Sequence, residues 1–361
     1  MSFSLPVMRP LLPTRRALAP YLRRIDHNRW YSNMGPLAQE LALRLGHHHG
    51  APALPLANAT VGLTAALLAH DLPPGGRCLM PSWSFAATAQ AARMAGLTPF
   101  FCDVAPEHGQ LTPQLAEQSL ATAAGPVVAV MPVCPFGHPV DWLGWQDFRR
   151  RHSVAVIIDA AAAFDTVQAS EIPAVVSLHA TKALGAGEGG YALCRDEELL
   201  RRMVRVINFG MDESRQSVTL GGNGKLSEYH AAVALAGLDH WPQRRRRLAT
   251  LLGRLRRAVG DFAHWPAGLG DAYVTSTACV GFADSWAMEQ ALRDHGIETR
   301  RWWSGPLHRH PAFADGQQLP ITEHLAATTL GLPCWIGMGR TEITALAQAL
   351  AHVNHDRPAT R

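Results

Sequence analysis

Residues 154–191 read VAVIIDAAAAFDTVQASEIPAVVSLHATKALGAGEGGY, and this stretch decides the architecture. Val154 to Ile158 is an unbroken apolar run rich in β-branched residues, the pattern of a strand buried on both faces. It ends at Asp159. A second run, Ala174 to Leu178, ends at a polar knot of Ser177, His179, Thr181 and Lys182. Open α/β sheets bind ligands at the carboxyl ends of their strands, so Asp159 and Lys182 are expected to face one crevice.

One chemistry needs such a pair. A lysine amine condenses with an aldehyde when desolvation or a cationic neighbour lowers its pKa. A buried aspartate beside a pyridine nitrogen keeps that nitrogen protonated, and the ring then accepts the electrons of a substrate carbanion. Lys182 and Asp159 therefore point to a Schiff base on pyridoxal phosphate. Gly185, Gly187, Gly189 and Gly190 would let the backbone run close to the ring. The competing reading has Asp159 capping a helix and Lys182 in solvent.

The run SLHATKALGAGEGGYALC (177–194) resembles the lysine segment of the DegT/DnrJ/EryC1/StrS (sugar) aminotransferase family, and IIDAAAAF (157–164) resembles its aspartate segment. The resemblance continues from about Pro10 to Val353. LPLANATVGLTAALLAH (54–70) is similar to the family's phosphate-holding turn, with Thr60 giving a hydroxyl and Val61 a backbone N–H. On its own residues the same turn is a strand running into a helix N-terminus, which is an anion site by construction or simple capping by Asn58 or Thr60. CPFGHPVDW (134–142) matches a turn-rich family run. GGNGKLSEYHAAVALAGLDHW (221–241) resembles the segment whose asparagine, here Asn223, crosses a dimer interface to the other subunit's cofactor phosphate. Taken alone, Asn223 reads as a left-handed loop residue between Gly222 and Gly224.

The resemblance implies an α/β fold: a fold-type-I transferase dependent on pyridoxal 5'-phosphate. It has a large, mostly parallel seven-stranded α/β/α domain over residues 1–240 and a small α/β C-terminal domain over 241–361. It implies Lys182 and Asp159 as catalytic residues, and Thr60, Val61, Phe85, Ser177 and Asn223 as further cofactor contacts. Phe85 maps to the aromatic that stacks on the ring, with Trp83 as the fallback; for either, core packing is the plain alternative. The implied protein is a homodimer with shared active sites. It moves an amino group from an amino acid, L-glutamate in the usual case, to a keto-sugar, most often a nucleotide-linked keto-deoxysugar. The alternatives are a keto acceptor without a nucleotide, such as a cyclitol, or a silent regulatory protein that binds the cofactor. Ala162 departs from the pattern, standing where the family usually has glutamine or histidine.

Other features exclude rivals. GAGEGG (185–190) follows a lysine and precedes a strand, whereas a dinucleotide fingerprint must follow a strand and open a helix. A formal net charge of +4 is too small a bias to indicate nucleic acid. The arginines at 244–247 lack interleaved aromatics and read as a solvated helix face, with one arginine reaching a diphosphate as the lesser alternative. The six cysteines are scattered, without a C-x-x-C pair, and suit a reducing cytosol. No run is apolar enough to span a bilayer and no secretion signal is visible, so a soluble, cytoplasmic protein with no membrane partner is expected. His47 to His49 follow a helix and suit its dipole better than a metal. Trp302, Trp303, His308 and His310 could line the substrate end of the cleft, and no metal site is assigned.

Overall fold

The computed structural model describes residues 4–303, 305–314 and 316–355. The central strands are β1 (Ala53–Leu56), β2 (Arg77–Pro81), β3 (Thr98–Cys102), β4 (Val127–Val130), β5 (Ala155–Val156), β6 (Ile158–Asp159), β7 (Ala174–Ser177) and β8 (Gly190–Leu193). They form two ladders, ordered β3-β2-β4-β5 and β6-β7-β8-β1. Only Ile157 separates β5 from β6, and its N–H donates to the Val130 carbonyl at 3.0 Å. Asp159 N–H donates to the Pro132 carbonyl at 2.8 Å, continuing the β4 pairing. The ladders are therefore one sheet of seven strands, the number expected. It is mostly parallel: β8 alone runs against both of its neighbours.

Period-two alternation distributes the strand residues between two cores. Val156, Ile158 and Val176 join one, packed against Leu37, Leu41, Trp145 and Phe148. Ile157, Val175 and Ala192 join the other, with Leu63, Ala66 and Met203. Helices cover both faces, as a buried parallel sheet requires. They are α1 (Arg15–Asn28), α2 (Pro36–His49), α3 (Ala59–Ala69), α4 (Ala86–Met94), α5 (Pro113–Thr122), α6 (Trp142–His152), α7 (Glu197–Val206) and α8 (Glu228–Leu238). Helix α3 is apolar around its whole circumference because it is wedged between the sheet, α4 and α7. The buried Glu228 carboxylate accepts from the amides of Leu37 and Ala38 at 2.8 and 2.9 Å and so caps α2 from across the fold.

Helix α9 (Trp241–Val259) then leads to a two-stranded antiparallel sheet, β9 (Ala278–Gly281) and β10 (Thr329–Leu332), packed with α10 (Ser285–Asp294), α11 (Pro320–Thr328) and α12 (Arg340–His355). The N-terminal segment returns to this part of the chain. Val7 N–H donates to Glu298 at 3.0 Å and Cys334 N–H to the Val7 carbonyl at 3.1 Å, which brings Met8 and Arg9 beside the end of the sheet. The first helix starts at Arg15, capped by Thr14, and spans fourteen residues. Before β9, Tyr273 and its neighbours turn around Gly268 and Gly270, so the strand is confined to Ala278–Gly281. All six cysteines are buried and free.

Candidate active site

Asp159 closes β6 and is 5% exposed. It pairs in parallel register with Val175, so its side chain shares a sheet face with Val175 and, two residues on, Ser177. That face meets α3 and α4. The Thr88 hydroxyl on α4 donates to Asp159 Oδ2 at 2.6 Å, and the Ala161 amide donates to Oδ1 at 3.1 Å. Thr88 spends its single proton on the carboxylate, so the 2.6 Å contact between Thr88 and Ser84 is donated by Ser84. Burial raises the Asp159 pKa; Thr88, the Ala161 amide and the charge of Lys182 act against that rise.

Lys182 follows β7 in a tight turn, its amide bonded to the His179 carbonyl at 2.9 Å. Burial lowers its pKa and the charge of Asp159 opposes the fall. Part of its surface faces cavity space while protein surrounds it at longer range, so desolvation is the leading cause although the side chain is only half-buried. Asp159 and Lys182 line one cavity, together with Phe85, Ala162, Trp302 and Trp303. The reading with Lys182 in solvent does not hold.

Phe85 is 64% exposed and borders this cavity, whereas Trp83 is 5% exposed and turned away. Trp83 meets Trp303 edge-on at 4.8 Å, and Trp303 stacks on Phe136 at 4.2 Å. These three rings form a wall between the lysine cavity and a larger cavity of about 510 Å³. Phe136 holds its place in the wall with a left-handed backbone (φ 51°).

Of the residues expected to hold the phosphate, Ser177 ends β7 and Thr60 and Val61 open α3, which packs on that sheet face. Ser177 pairs with Gly190, and a Cβ on Gly190 would sit 3.0 Å from the Ala59 amide nitrogen, so the bare glycine leaves a cradle at the start of α3. Ser177 is directly opposite Gly190, and Thr60 follows Ala59 in the first turn of α3. Val61 N–H is already engaged, donating to Asn58 Oδ1 at 2.9 Å, so the capping alternative is realised by Asn58. The amides of Ala59 and Thr60, in the first turn, have no acceptor within the helix. A buried carboxylate, a desolvated amine, an open aromatic and an N–H-lined cradle together fit pyridoxal phosphate.

Asn223 is exposed and does not line the cavity. Its backbone bridges to Asn208 and is not left-handed, so the simple loop reading fails. Trp302 and Trp303 reach the cavity. His308 does not: it is buried against Ser82 (2.7 Å) and Glu323 (3.1 Å), and His310 bonds the Gly305 carbonyl at 3.0 Å. Of the histidine triplet, His49 Nε2 shares a 2.8 Å hydrogen bond with the Tyr191 hydroxyl, with burial pushing its pKa down to about 3, and His48 stacks on Phe164. Among the described residues no cluster suits a metal ion, and no helix is long and apolar enough to cross a membrane. Thr88 and Ser84 escaped the sequence reading. Ser84 stands just before α4 and Thr88 in its first turn, so only the fold brings them to Asp159.

A profile of the DegT/DnrJ/EryC1/StrS aminotransferase family matches residues 14–351. Protein Rv3402c of Mycobacterium tuberculosis is 30% identical over 90% of this chain and 82% of its own. UDP-N-acetyl-3-dehydro-alpha-D-glucosamine 3-aminotransferase of Acidithiobacillus ferrooxidans is 29% identical over 88% of each chain. The structure of DesI in the presence of its TDP-sugar product superposes with a TM-score of 0.86 at 30% identity, covering 97% of this chain and 93% of that one.

Proposed function

Because the chain belongs to the DegT/DnrJ/EryC1/StrS aminotransferase family, and so is a pyridoxal-phosphate-dependent aminotransferase, we propose that it transfers an amino group from L-glutamate to a nucleotide-linked keto-deoxysugar. The observation that carries this reading is the convergence of Asp159, Lys182 and the open face of Phe85 on one cavity. Relatives named as transaminases of dTDP- and UDP-sugars support the acceptor class.

Pyridoxal phosphate, when bound, supplies a ring that accepts electrons from the reacting carbon. Lys182 holds it through an amine whose lowered pKa leaves more of it unprotonated near neutrality. The same amine would carry the proton between the substrate's α-carbon and the cofactor's aldehyde carbon. Asp159, oriented by Thr88 and the Ala161 amide, keeps the ring nitrogen protonated. Ser177, the Thr60 hydroxyl and the free first-turn amides of α3 anchor the phosphate, and Phe85 covers the ring. Residues 1–240 carry these groups, and 241–361 form the small domain over the cleft. Asn223, exposed and outside its own chain's cavity, serves the phosphate of a second copy, making the active unit a homodimer.

The test is a visible spectrum of the purified protein with added cofactor, before and after L-glutamate, followed by dTDP- and UDP-linked keto-sugars. A yellow band that glutamate bleaches and a keto-sugar restores is the expected course. A band untouched by any amino acid would instead favour the silent cofactor-binding reading.

A further inference from the structure

A second cavity, of about 510 Å³, lies behind the wall of Trp83, Phe136 and Trp303. Its size falls in the range of small-molecule sites, about 300–1,000 Å³. The carboxyl ends of β2, β3 and β4 bring Trp83, Glu107 and Phe136 to it, and the segment after α9, β9 and α11 close it from the other side. Neither Lys182 nor Asp159 lines it. A molecule held here does not meet the lysine amine.

The polar groups of this cavity define its ligand. No lysine or arginine lines it. Glu107 and Asp261 do, both exposed at its rim, and among the described residues neither carboxylate has an ion pair or a hydrogen bond. Its only basic side chains are imidazoles, a group mostly neutral above about pH 7, and burial lowers the pKa of His138. A diphosphate or a dicarboxylate would meet two like charges and no fixed cation there. Inside stands Tyr273, 3% exposed, whose hydroxyl has no hydrogen-bond partner among the described residues and is not sealed in protein. Burial, with a smaller contribution from Cys279, raises its pKa, so the group is a neutral hydroxyl. Buried polar groups are almost always hydrogen-bonded, so an open one at a cavity is a place for a ligand's polar atom.

We propose that this cavity is a second small-molecule site and that its ligand is an arylalkylamine cation. The ligand's ring lies among Trp83, Phe136 and Tyr273, whose faces attract both a ring and a cation. Its ammonium N–H donates to the Tyr273 oxygen, and its charge is drawn in by Glu107 and Asp261. The inference does not use the keto-sugar assignment and leaves the lysine cavity to the reacting molecules. Because Trp83 and Phe136 touch Trp303, the occupied site braces one side of that lysine cavity.

Calorimetric titration of the cofactor-loaded protein with N,N-dimethylbenzylamine, at about pH 7.5 where imidazole is mostly neutral, tests this directly. That tertiary amine is protonated there and cannot condense with the cofactor's aldehyde. Phenylacetate, with the same ring and the opposite charge, is the control. The amine is expected to bind at one site per chain, at least about 10-fold more tightly than phenylacetate. Tyr273→Phe, which breaks no hydrogen bond of the protein, should weaken the amine about 10-fold, the loss of one charge-assisted contact. Glu107→Gln combined with Asp261→Asn, both at exposed positions, should weaken it about 2- to 10-fold. A protein that binds no amine overturns the proposal, and so does phenylacetate binding as tightly as the amine. An amine affinity unchanged in either variant also overturns it, because the amine would then sit elsewhere. If Tyr273→Phe does not fold, the carboxylate variant decides alone by the same criterion.

Discussion

The Thr88 hydroxyl donates a 2.6 Å hydrogen bond to the Asp159 carboxylate, and both side chains are sealed from solvent. Burial pushes the Asp159 pKa up and this contact holds it down. Thr88→Val should therefore raise it further, by about one unit if the contact is worth about 1.5 kcal/mol. The pH below which the cofactor is lost then moves upward, while Thr88→Ser keeps the wild-type value. For folding, a raised carboxyl pKa contributes stability at low pH that is lost as pH rises through the folded value. The variant shifts that loss to higher pH. Absorbance titration of cofactor binding across pH checks the first effect, and thermal melts of the cofactor-free protein check the second.

Lys182→Ala should abolish borohydride fixation of the cofactor to the chain and cut transamination by at least about 10²–10⁴-fold, the range for loss of a positioned proton-transfer group. Mass spectrometry after reduction reads the first effect. A variant that still carries a fixed adduct would place the linkage on another residue.

Phe85 and Trp83 should separate function from stability. Phe85 is largely exposed, so Phe85→Ala should leave the cofactor-free melting point nearly unchanged, within about 0.5 kcal/mol. It should weaken cofactor binding by about 0.5–1.5 kcal/mol. Trp83→Ala removes a buried ring from the wall and should cost about 3–5 kcal/mol of stability. Melting curves with and without cofactor distinguish the two.

Gly190→Ala places a methyl 2.9 Å from the Val176 carbonyl and 3.0 Å from the Ala59 amide. Neither is a flexible side-chain end. The variant should lose about 1–3 kcal/mol of stability and bind cofactor more weakly, because the cradle at α3 is filled. A titration followed by the visible absorbance of the bound cofactor measures the affinity.

The proposed sharing of sites predicts complementation. Lys182→Ala and Asn223→Asp should each be poor enzymes, yet unfolding and refolding them together should restore activity in mixed dimers, which contain one intact site. Restored turnover above that of either parent is the expected result. Its absence, with mixed dimers demonstrated, would return Asn223 to its own chain.

The sequence showed the sheet, Asp159 and Lys182 because apolar runs that stop at a charged residue are local signals. It did not show what the three-dimensional arrangement adds. Thr88 is an ordinary helix residue until β6 brings Asp159 against it. Whether Asn58 or a ligand takes the Val61 amide is decided by side-chain reach, and the structure gives it to Asn58. Which of two aromatics faces the cavity depends on Phe136 and Trp303, which are distant in the chain. The four arginines look alike in sequence and separate only when Asp165 and Leu11 arrive from elsewhere.

The six buried cysteines have a practical consequence. Burial raises the pKa of Cys78, Cys102, Cys134, Cys194, Cys279 and Cys334, the least affected being Cys194 at about 11, so few are thiolates near neutrality. The folded molecule thus offers maleimide reagents no ready native handle. A single cysteine introduced at an exposed position such as Leu220, which is 74% accessible, would carry a spectroscopic probe without deleting any native residue of the core. Distances between two such probes could then report, in solution, how the copies of this chain sit against each other.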